Sequence, residues 1–488
     1  MQELVVAPNN SALLIASPRY TPRAVGARSL AIYGGIAALW IGVLIGAWAF
    51  TGVLAWSAGI LYVIYDTSLL FYVMRKTRSL YRERSAQSQA AVPALPLPSV
   101  GVLIAARNEA TALPATLDAL LAQREAAECI LVLNDGSSDE TEALLSERYA
   151  VPAANGAHSV RTSTRWSTLK VLSLAHGGKA RALNAGIEAL ATDLVVTVDA
   201  DTILEPEAIG ALRRAFARDA QLVAAGGVLK PVCPPRLMGR FFQWFQTYEY
   251  VRAFISRIAW MRAGALLLVS GALAGFRREA LLRVGSFDVD CLVEDYELIH
   301  RLHRYAYEHG LAWRVGVLGE VRGRTDAPAT LMSFLRQRRR WFAGFLQTQY
   351  WNRDMTGNGR YGPLGRVMLP IKAIDTMQPV FGLTAFILLV SFAILGRLSI
   401  VVPVLAVIGT KIVIDIGFHL WWLHLYGRWT GQRASAGGFG LALLSALAEP
   451  FSFQLLRHLG ATWGWFAFLT RRHRWGVTPS LPVAELTP

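Results

Sequence analysis

The chain has 488 residues, 53% of them hydrophobic, and a mean hydropathy of +0.35, values that argue against an ordinary soluble enzyme. Its formal net charge of +15 comes mostly from arginine, because only six of the 49 basic residues are lysines. Many of these arginines flank apolar runs, a pattern typical of a membrane protein and not of a nucleic-acid binder. The three cysteines are far apart and show no C-x-x-C spacing, which argues against a disulfide framework or a zinc site.

Two apolar runs near the start, at residues 30–50 and 53–74, are each long enough for one membrane crossing of about 20 residues. Basic residues precede the first run and follow the second, so both outer ends are predicted to face the cytoplasm. The predicted plan therefore begins with a cytoplasmic tail at 1–27, a transmembrane hairpin at 28–75 and a basic, proline-rich linker at 76–98. Asp66 within the hairpin either has a function in the membrane or contacts a helix partner.

Residues 99–350 are predicted to form one α/β domain, a mostly parallel sheet with helices on both faces. The predicted strands of this domain lie at 100–106, 129–133, 169–174 and 193–199. Residues 241–258 form an amphipathic pattern, which indicates a helix either on the membrane face or in the core. The apolar run at 265–276 is too short to cross a bilayer and is assigned to the same domain.

The rest of the chain is predicted to return to the membrane. An interfacial segment at 351–376 is followed by transmembrane or interfacial helices at 377–470 and a tail at 471–488. The runs at 379–395 and 400–422 are long enough to span. Lys411 and Asp415 stand four residues apart in the second run, where they either pair or line a polar path. Residues 437–468 allow a hairpin, an in-plane helix or a single crossing.

Polar residues follow the predicted strands at their carboxyl ends, where open α/β sheets bind ligands. Asp199 and Asp201 end an apolar run, and two such carboxylates call for a cation such as Mg²⁺ or Mn²⁺ that bridges to a diphosphate. Lys179 at a helix start offers a positive charge to phosphate oxygens, and Asp135 offers acceptors to a uracil ring. The residues after the first strand, where a base or ribose would bind, are Arg107, Asn108 and Glu109. Each pattern alone is ordinary turn chemistry, but four at successive strand ends favour a nucleotide site.

Two later clusters complete the candidate site. Glu294-Asp295 precedes a helical run, where a carboxylate is either an amino-terminal cap or a general base for an acceptor hydroxyl. The run from Gln337 to Trp341 holds three arginines, and such a basic run is usually a solvated or headgroup-facing surface. The functional alternative is that Trp341 forms a flat wall for a sugar and Arg340 stabilises a departing diphosphate.

In this order and between membrane segments, these residues resemble the motifs of processive family 2 glycosyltransferases, which include cellulose, hyaluronan, chitin and poly-N-acetylglucosamine synthases. The motifs are Asp135, Asp199-x-Asp201, Glu294-Asp295 and Gln337-x-x-Arg340-Trp341. The resemblance implies a GT-A fold with a Rossmann-like sheet, inversion at the anomeric carbon, a UDP-sugar donor and Mg²⁺ or Mn²⁺.

The resemblance also implies roles for individual residues. Asp199 and Asp201 would hold the metal, Asp295 would be the base beside Glu294, and Arg340 would assist the leaving group. Among the donor-binding residues, the resemblance implies Asp135 and Asp199, and the interpretation of the strand ends adds Arg107, Asn108, Glu109 and Lys179. The acceptor-binding residues that the resemblance implies are Ser270, Gly271, Gln337 and Trp341. Asn134 departs from the aspartate of many relatives, and no F-x-V-T-x-K motif follows Trp341, which disfavours cellulose synthase proper.

The sequence therefore predicts a multi-pass enzyme of the inner membrane, in contact with membrane lipids, with a cytoplasmic catalytic domain and no nucleic-acid partner. It is expected to move sugar from a UDP-sugar to a growing β-linked polysaccharide, with or without coupled export. One alternative is a non-processive enzyme that glycosylates a membrane lipid, and a further one is a non-catalytic nucleotide-sugar-binding membrane subunit. The sugar, the linkage and any partner subunit are left open.

Overall fold

The computed structural model describes residues 10–80, 96–154, 156, 158–432 and 436–470. Most of the predicted linker, the predicted tail at 471–488 and the first nine residues lie outside this part. The strands are β1 (Val100–Ala106), β2 (Cys129–Asp135), β3 (Val160–Thr162), β4 (Leu169–Leu174), β5 (Leu194–Asp199), β6 (Thr202–Leu204), β7 (Leu222–Val232), β8 (Leu273–Arg277) and β9 (Arg314–Asp326). The α-helices are α1 (Asn10–Ala16), α2 (Ala27–Ala49), α3 (Ser57–Thr77), α4 (Leu113–Leu121), α5 (Thr141–Glu147), α6 (Lys179–Ala189), α7 (Ala208–Arg218), α8 (Leu237–Arg262), α9 (Arg278–Arg283), α10 (Glu294–Glu308), α11 (Leu331–Trp351), α12 (Leu369–Ile394), α13 (Leu398–Thr430), α14 (Ala436–Ala448) and α15 (Phe453–Leu469).

All nine strands belong to one sheet, in the order β3-β4-β2-β1-β5-β8-β7-β9-β6. Strands β4, β2, β1 and β5 are parallel neighbours, whereas β8 runs antiparallel to both β5 and β7. Val195 and Val196 in β5 are fully buried, as expected for β-branched residues in a strand covered on both faces. The predicted α/β sheet is confirmed, and its parallel part carries the strand ends at which the candidate residues lie.

Four helical segments in the described part are long and apolar enough to cross a bilayer. They are Ala27–Ala49, Gly52–Thr77, Leu364–Ile394 and Leu398–Thr430. The third begins within the segment predicted as interfacial. Gly437–Phe451 and Phe453–Leu469 form a fifth candidate that is bent by 49°. Pro450 lies next to this break, where a proline removes a helical hydrogen bond, and the ambiguous pattern at 437–468 reflects it.

Charged residues within these spanning helices pair with one another. Lys411 of α13 contacts Asp415 one turn along the same helix, as predicted, and its Nζ lies 2.7 Å from Asp66 Oδ2 of α3. Gln378 of α12 also donates to Asp66, at 3.4 Å. Of the two alternatives for Asp66, the structure therefore shows the contact with helix partners, and this cluster ties three spanning helices together.

Helix α8 connects the sheet to the membrane helices. It extends beyond the predicted 241–258 at both ends and packs against β7 and β9 on one side and against α3, α13 and α14 on the other. Phe254 and Ile255 are buried in the main core with the sheet, whereas Phe242 is buried against Phe334 of α11 and Phe453 of α15. The two locations proposed for this helix, core and membrane side, thus both apply, and α8 fixes the α/β domain against the spanning helices.

Candidate functional site

Asp199 and Asp201 lie where β5 turns into β6. The turn is held by the hydroxyl of Thr116, which donates to the Ala200 carbonyl at 2.8 Å. The hydroxyl of Thr325 lies 3.3 Å from Asp201 Oδ1. Burial and the neighbouring Asp199 raise the pKa of Asp201 from 3.8 to about 6, although Lys179 opposes this. The fold therefore holds two carboxylates together against their mutual repulsion.

Lys179 links this turn to the predicted base. Its Nζ lies 2.5 Å from Asp199 Oδ1 and 3.7 Å from Glu294 Oε1. Burial works against the charged ammonium, but Asp199 and Glu294 outweigh it and raise the pKa of Lys179. Lys179 is therefore favoured in its charged form and lies between the carboxylate turn and α10.

Asp135, at the end of β2, fixes the loop that precedes Lys179. Its carboxylate accepts the N–H groups of Gly177 and Gly178 at 2.7 and 2.9 Å and contacts His176 Nδ1 at 2.9 Å. Gly178 has a φ of 92°, a conformation that favours glycine. Asp135 is nearly fully buried, so three donors of its own chain already use much of the accepting capacity that was predicted for uracil.

The residues after β1 form one surface with the loop after β2. Asn108 has a φ of 58°, and its Oδ1 accepts the Ser138 N–H at 2.8 Å. The N–H of Glu109 donates to Thr141 Oγ1 at 3.0 Å, and Arg107 is exposed beside them. The structure thus places all three predicted donor-side residues at the carboxyl edge of the sheet, next to Asp135.

Asp295, in the first turn of α10, is oriented by two backbone amides. Its Oδ2 accepts the Gly271 N–H and its Oδ1 accepts the Tyr296 N–H, each at 2.8 Å. The residue after Gly271 accepts the N–H of Asp199 through its carbonyl, at 3.3 Å. The predicted acceptor-side segment at 270–272 therefore lies between β5, which carries Asp199, and the predicted base Asp295, with Ser270 at its start.

Glu294, next to Asp295, lies deeper in the protein. Burial raises the pKa of Glu294. The nearby carboxylate of Asp295 also raises this pKa, whereas the charges of Lys179 and Arg340 lower it. Arg340 therefore acts on the same carboxylate from α11 as Lys179 does from α6. Glu294 therefore lies on the side of Lys179 and Arg340, whereas Asp295 faces the backbone of Gly271.

Gln337, Arg340 and Trp341 lie along one side of α11 and are all partly buried. Within the described residues, Gln337 Oε1 is buried and accepts no hydrogen bond. The guanidinium of Arg338, a residue that the predicted motif leaves unassigned, lies 4.6 Å from the centre of the Trp341 ring. Arg338 also donates to Glu249 of α8 at 2.7 Å, so its guanidinium lies between Trp341 and α8.

The donor set fits a divalent cation that arrives with a diphosphate. Among the residues that the structure describes, no group of three or more His, Cys, Asp or Glu side chains is arranged to hold a metal ion. Mg²⁺ commonly uses one or two carboxylates and takes its other ligands from phosphates and water. Burial and, next, the charge of Asp199 raise the pKa of Asp201, and a bound cation would favour the charged form of both carboxylates.

Most of the predicted residues thus lie together at the carboxyl edge of the sheet. The sequence did not indicate the contacts that hold them there. Thr116 and Thr325, which fix the turn of Asp199 and Asp201, are single threonines far from any motif. Arg338 stands inside a motif and was missed because its side chain faces α8 and not the cleft.

The chain belongs to the glycosyltransferase-like family 2, whose model matches residues 98–344. The predicted glycosyltransferase is thereby confirmed. The chain is similar to the poly-beta-1,6-N-acetyl-D-glucosamine synthase of Staphylococcus aureus strain COL, with 29% identity over 284 residues, 57% of this chain and 60% of the relative. The synthase of the same name from Staphylococcus epidermidis is 28% identical over 252 residues, 50% of this chain and 54% of the relative. The chain therefore spans less than two thirds of the length of these relatives.

A solved structure also aligns with the chain. It is the mannosyltransferase PcManGT from Pyrobaculum calidifontis in complex with GDP-Man and Mn²⁺, with a TM-score of 0.48 and 19% identity. The alignment covers 80% of this chain and 99% of that one.

Proposed function

We propose that this protein transfers sugar from a UDP-sugar to a growing β-linked polysaccharide, with inversion at the anomeric carbon. The reaction takes place on the cytoplasmic side of the inner membrane. The observation that carries the proposal is the link from Asp199 through Lys179 to Glu294, because it joins the donor carboxylates to the helix of the base. The relatives named as polysaccharide synthases support a polymeric product.

On the donor side, Asp199 and Asp201 would hold Mg²⁺ or Mn²⁺, and the ion would neutralise charge on the diphosphate. Lys179 begins α6, so its ammonium and the helix start both face anionic phosphate oxygens. Asp135 keeps the loop before Lys179 in place, and the uridine lies against the surface formed by residues 107–109.

On the acceptor side, Asp295 takes the proton of the acceptor hydroxyl while the hydroxyl oxygen forms its bond to the anomeric carbon. The bond from that carbon to the diphosphate breaks on the opposite face, and UDP leaves with the electron pair. Two backbone amides hold the Asp295 carboxylate in one orientation, which favours a positioned general base. Trp341 forms the sugar platform, the unused Gln337 Oε1 accepts a sugar hydroxyl, and Arg340 balances charge at the leaving group.

A cavity of about 530 Å³ between the spanning helices supports export of the product. Arg338, which touches Trp341, also lines this cavity, so the cavity begins beside the proposed acceptor platform. The charged side chains in its lining are Asp66, Glu249, Asp415, Glu449, Arg252, Arg338, Lys411 and Arg457. Each of them takes part in an ion pair with another. Because acidic and basic groups balance, the lining suits an uncharged, hydroxyl-rich chain.

Sizing of the product tests this function. The purified chain in detergent is incubated with single radiolabelled UDP-sugars and Mg²⁺ or Mn²⁺. We expect a high-mass product from one UDP-sugar, its loss on chelation, and its absence in Asp295→Asn, which still binds UDP. A single sugar on an extractable lipid would instead identify a lipid glycosyltransferase, and UDP binding without any transfer would identify a non-catalytic subunit.

A further inference from the structure

The segment before the first spanning helix lies on the catalytic domain. We name the described residues 10–23 the N-terminal strap; they lie outside the part of the chain that the family model matches. Leu13 of the strap is buried against Gly285, where an added Cβ would lie 2.2 Å from the Leu13 nitrogen. The strap therefore packs directly on the backbone that follows α9.

Arg19 is the main polar contact of the strap. Its Nη1 lies 2.8 Å from Asp288 Oδ1, and its Nη2 lies 2.6 Å from Asp290 Oδ2. The same guanidinium lies 5.4 Å from the centre of the Trp351 ring, at the end of α11. The side chain of Asp288 has no solvent exposure. Arg19 thus supplies the cation for a buried carboxylate and touches the helix that carries Trp341.

Removal of Arg19 would unbalance a buried charge cluster. Asp288 lies within electrostatic reach of the buried pair formed by Glu297 and Arg301. Arg301 Nη2 is 2.5 Å from Glu297 Oε2, so that guanidinium is already committed to another carboxylate. A buried carboxylate that loses its cation is strongly disfavoured, and the chain around it rearranges to reach water.

The backbone that carries Asp288 leads directly into the proposed base. We name residues 284–293 the base-leading segment, since Glu294 and Asp295 follow it. Asn184 of α6 exchanges two hydrogen bonds with the Phe287 backbone, at 2.9 and 2.8 Å. Gln347 of α11 accepts the N–H of Leu292 at 3.2 Å. The segment is therefore held by the donor-side helix, by the acceptor-side helix and, through Arg19, by the strap.

We propose that Arg19 is a positioning residue for Asp295. It neutralises Asp288 and so fixes the base-leading segment in the arrangement that directs Asp295 at the acceptor. This inference depends on the proposed function, because it takes Asp295 as the base. A small displacement of a base lowers turnover steeply while donor binding on the other strands is kept.

Arg19→Ala tests the proposal, with Arg23→Ala as the matched control. Arg23 belongs to the same strap but pairs with Glu308, at the far end of α10, at 2.6 Å. We expect Arg19→Ala to lower kcat by roughly 10- to 100-fold, with the KM for the UDP-sugar nearly unchanged. Arg19→Lys should recover part of the loss, as should Asp288→Asn in the Arg19→Ala background, because either change reduces the charge imbalance.

Hydrogen–deuterium exchange gives a readout apart from turnover. Residues 286–297 should lose protection in Arg19→Ala and keep it in Arg23→Ala. Unchanged protection, or wild-type kcat in Arg19→Ala, would overturn the positioning role alone. Equal losses of kcat, UDP binding and thermal stability in both variants would reduce the strap to a general structural element. A wild-type chain that is inactive with every UDP-sugar would instead overturn the proposed function and the base assignment with it.

Discussion

Gly271 donates its backbone N–H to the Asp295 carboxylate at 2.8 Å, and its missing side chain leaves room for that carboxylate. The next residue bonds the N–H of Asp199 through its carbonyl. A short turn therefore sets the distance between β5, which carries Asp199, and Asp295, the proposed base. In this arrangement the acceptor-side segment does more than line a sugar pocket, because it aligns the two halves of the proposed reaction.

Gly271→Ala should impair turnover without impairing donor binding. A Cβ at this position would lie 3.3 Å from the Asp295 Cβ, so the base has to shift by a few tenths of an ångström. We expect kcat to fall by roughly tenfold or more. Gly316→Ala is the control, since its Cβ would meet only side-chain ends, Leu222 Cδ1 at 3.1 Å and Met261 Sδ at 3.7 Å, away from the candidate site. Steady-state kinetics at varied UDP-sugar would show the effect, and an unchanged kcat would contradict this role of Gly271.

Asp295→Asn should remove the base and keep the site. The amide oxygen can still accept the Gly271 N–H, although the Tyr296 N–H loses its side-chain acceptor, so the fold should persist with a modest loss of stability. Loss of a general base lowers kcat by about 10²- to 10⁴-fold. Glu294→Gln is a useful comparison, because Glu294 faces Lys179 and its variant should weaken donor binding first. Titration of UDP alongside turnover separates the two, and a fully active Asp295→Asn would refute the assignment.

Asp201→Asn should stabilise the metal-free protein while abolishing transfer. The pKa of Asp201 is raised from 3.8 to about 6, so its contribution to stability is complete below pH 3.8 and is lost as the pH rises through 6. At pH 7.5 without a cation, the amide removes the repulsion from Asp199 and should raise the Tm. Asp199→Asn should lower the Tm, because it breaks the pair with Lys179. Thermal unfolding with chelator present provides the measurement.

The same raised pKa predicts how cation binding depends on pH. As the pH falls from 8 to 5, a growing fraction of the Asp201 side chains is protonated, and a divalent ion has to displace that proton to bind. The affinity for Mn²⁺ in the presence of UDP should therefore fall as the pH drops through about 6. Calorimetric titration at several pH values measures this, and an affinity that is flat across this range would place the ion elsewhere.

The strands that carry the donor site could be predicted from the sequence, and the others could not. Strands β1 and β4 have the predicted bounds, β1 as a short run of mostly buried apolar residues and β4 as an apolar segment that contains Lys170 and Ser173. Strands β7 and β9 escaped prediction because glycines and charges interrupt their patterns. Gly227 is an example of a glycine that the packing of the sheet requires. An added Cβ there would lie 2.5 Å from Leu273 of the neighbouring strand. Such a requirement arises only from the packed sheet.

The candidate site was likewise predictable only in part. The carboxylates stand in recognisable motifs, but the sequence does not indicate how far apart they lie. Lys179 was expected only to bind phosphate, and its contact with Glu294 depends on how α6 and α10 pack. Asp135 was expected to face the base of the nucleotide, yet its carboxylate secures the loop at Gly177 and Gly178. Residue types predict chemistry, whereas the partners of each side chain depend on the tertiary fold.

Asn134→Asp should destabilise the protein, although an aspartate is the residue of many relatives that the chain resembles. Asn134 Nδ2 donates to Glu142 Oε2 at 2.9 Å, and its Oδ1 accepts the Ser137 N–H at 3.1 Å. An aspartate loses the donor and sets two carboxylates against each other, which should cost about 1–3 kcal/mol of unfolding free energy. The double variant Asn134→Asp/Glu142→Gln restores a donor to this contact, but it also removes the carboxylate that pairs with the buried Arg161, so it should recover only part of the stability. Equal Tm values for Asn134→Asp and the wild type would contradict this account.

Lys411→Met should be among the most damaging changes in the membrane part of the chain. Lys411 contacts Asp66 on α3 and Asp415 on its own helix, so the variant leaves two carboxylates without their cation. Breaking a buried pair in this way costs about 3–5 kcal/mol, and the expected result is aggregation or a much lower Tm in detergent. The triple variant Asp66→Asn/Lys411→Met/Asp415→Asn removes all three charges and should regain a monodisperse, folded protein. If the triple variant folds but forms no long product, the cluster also serves the passage of the polymer; if it folds and polymerises normally, the cluster serves helix packing alone.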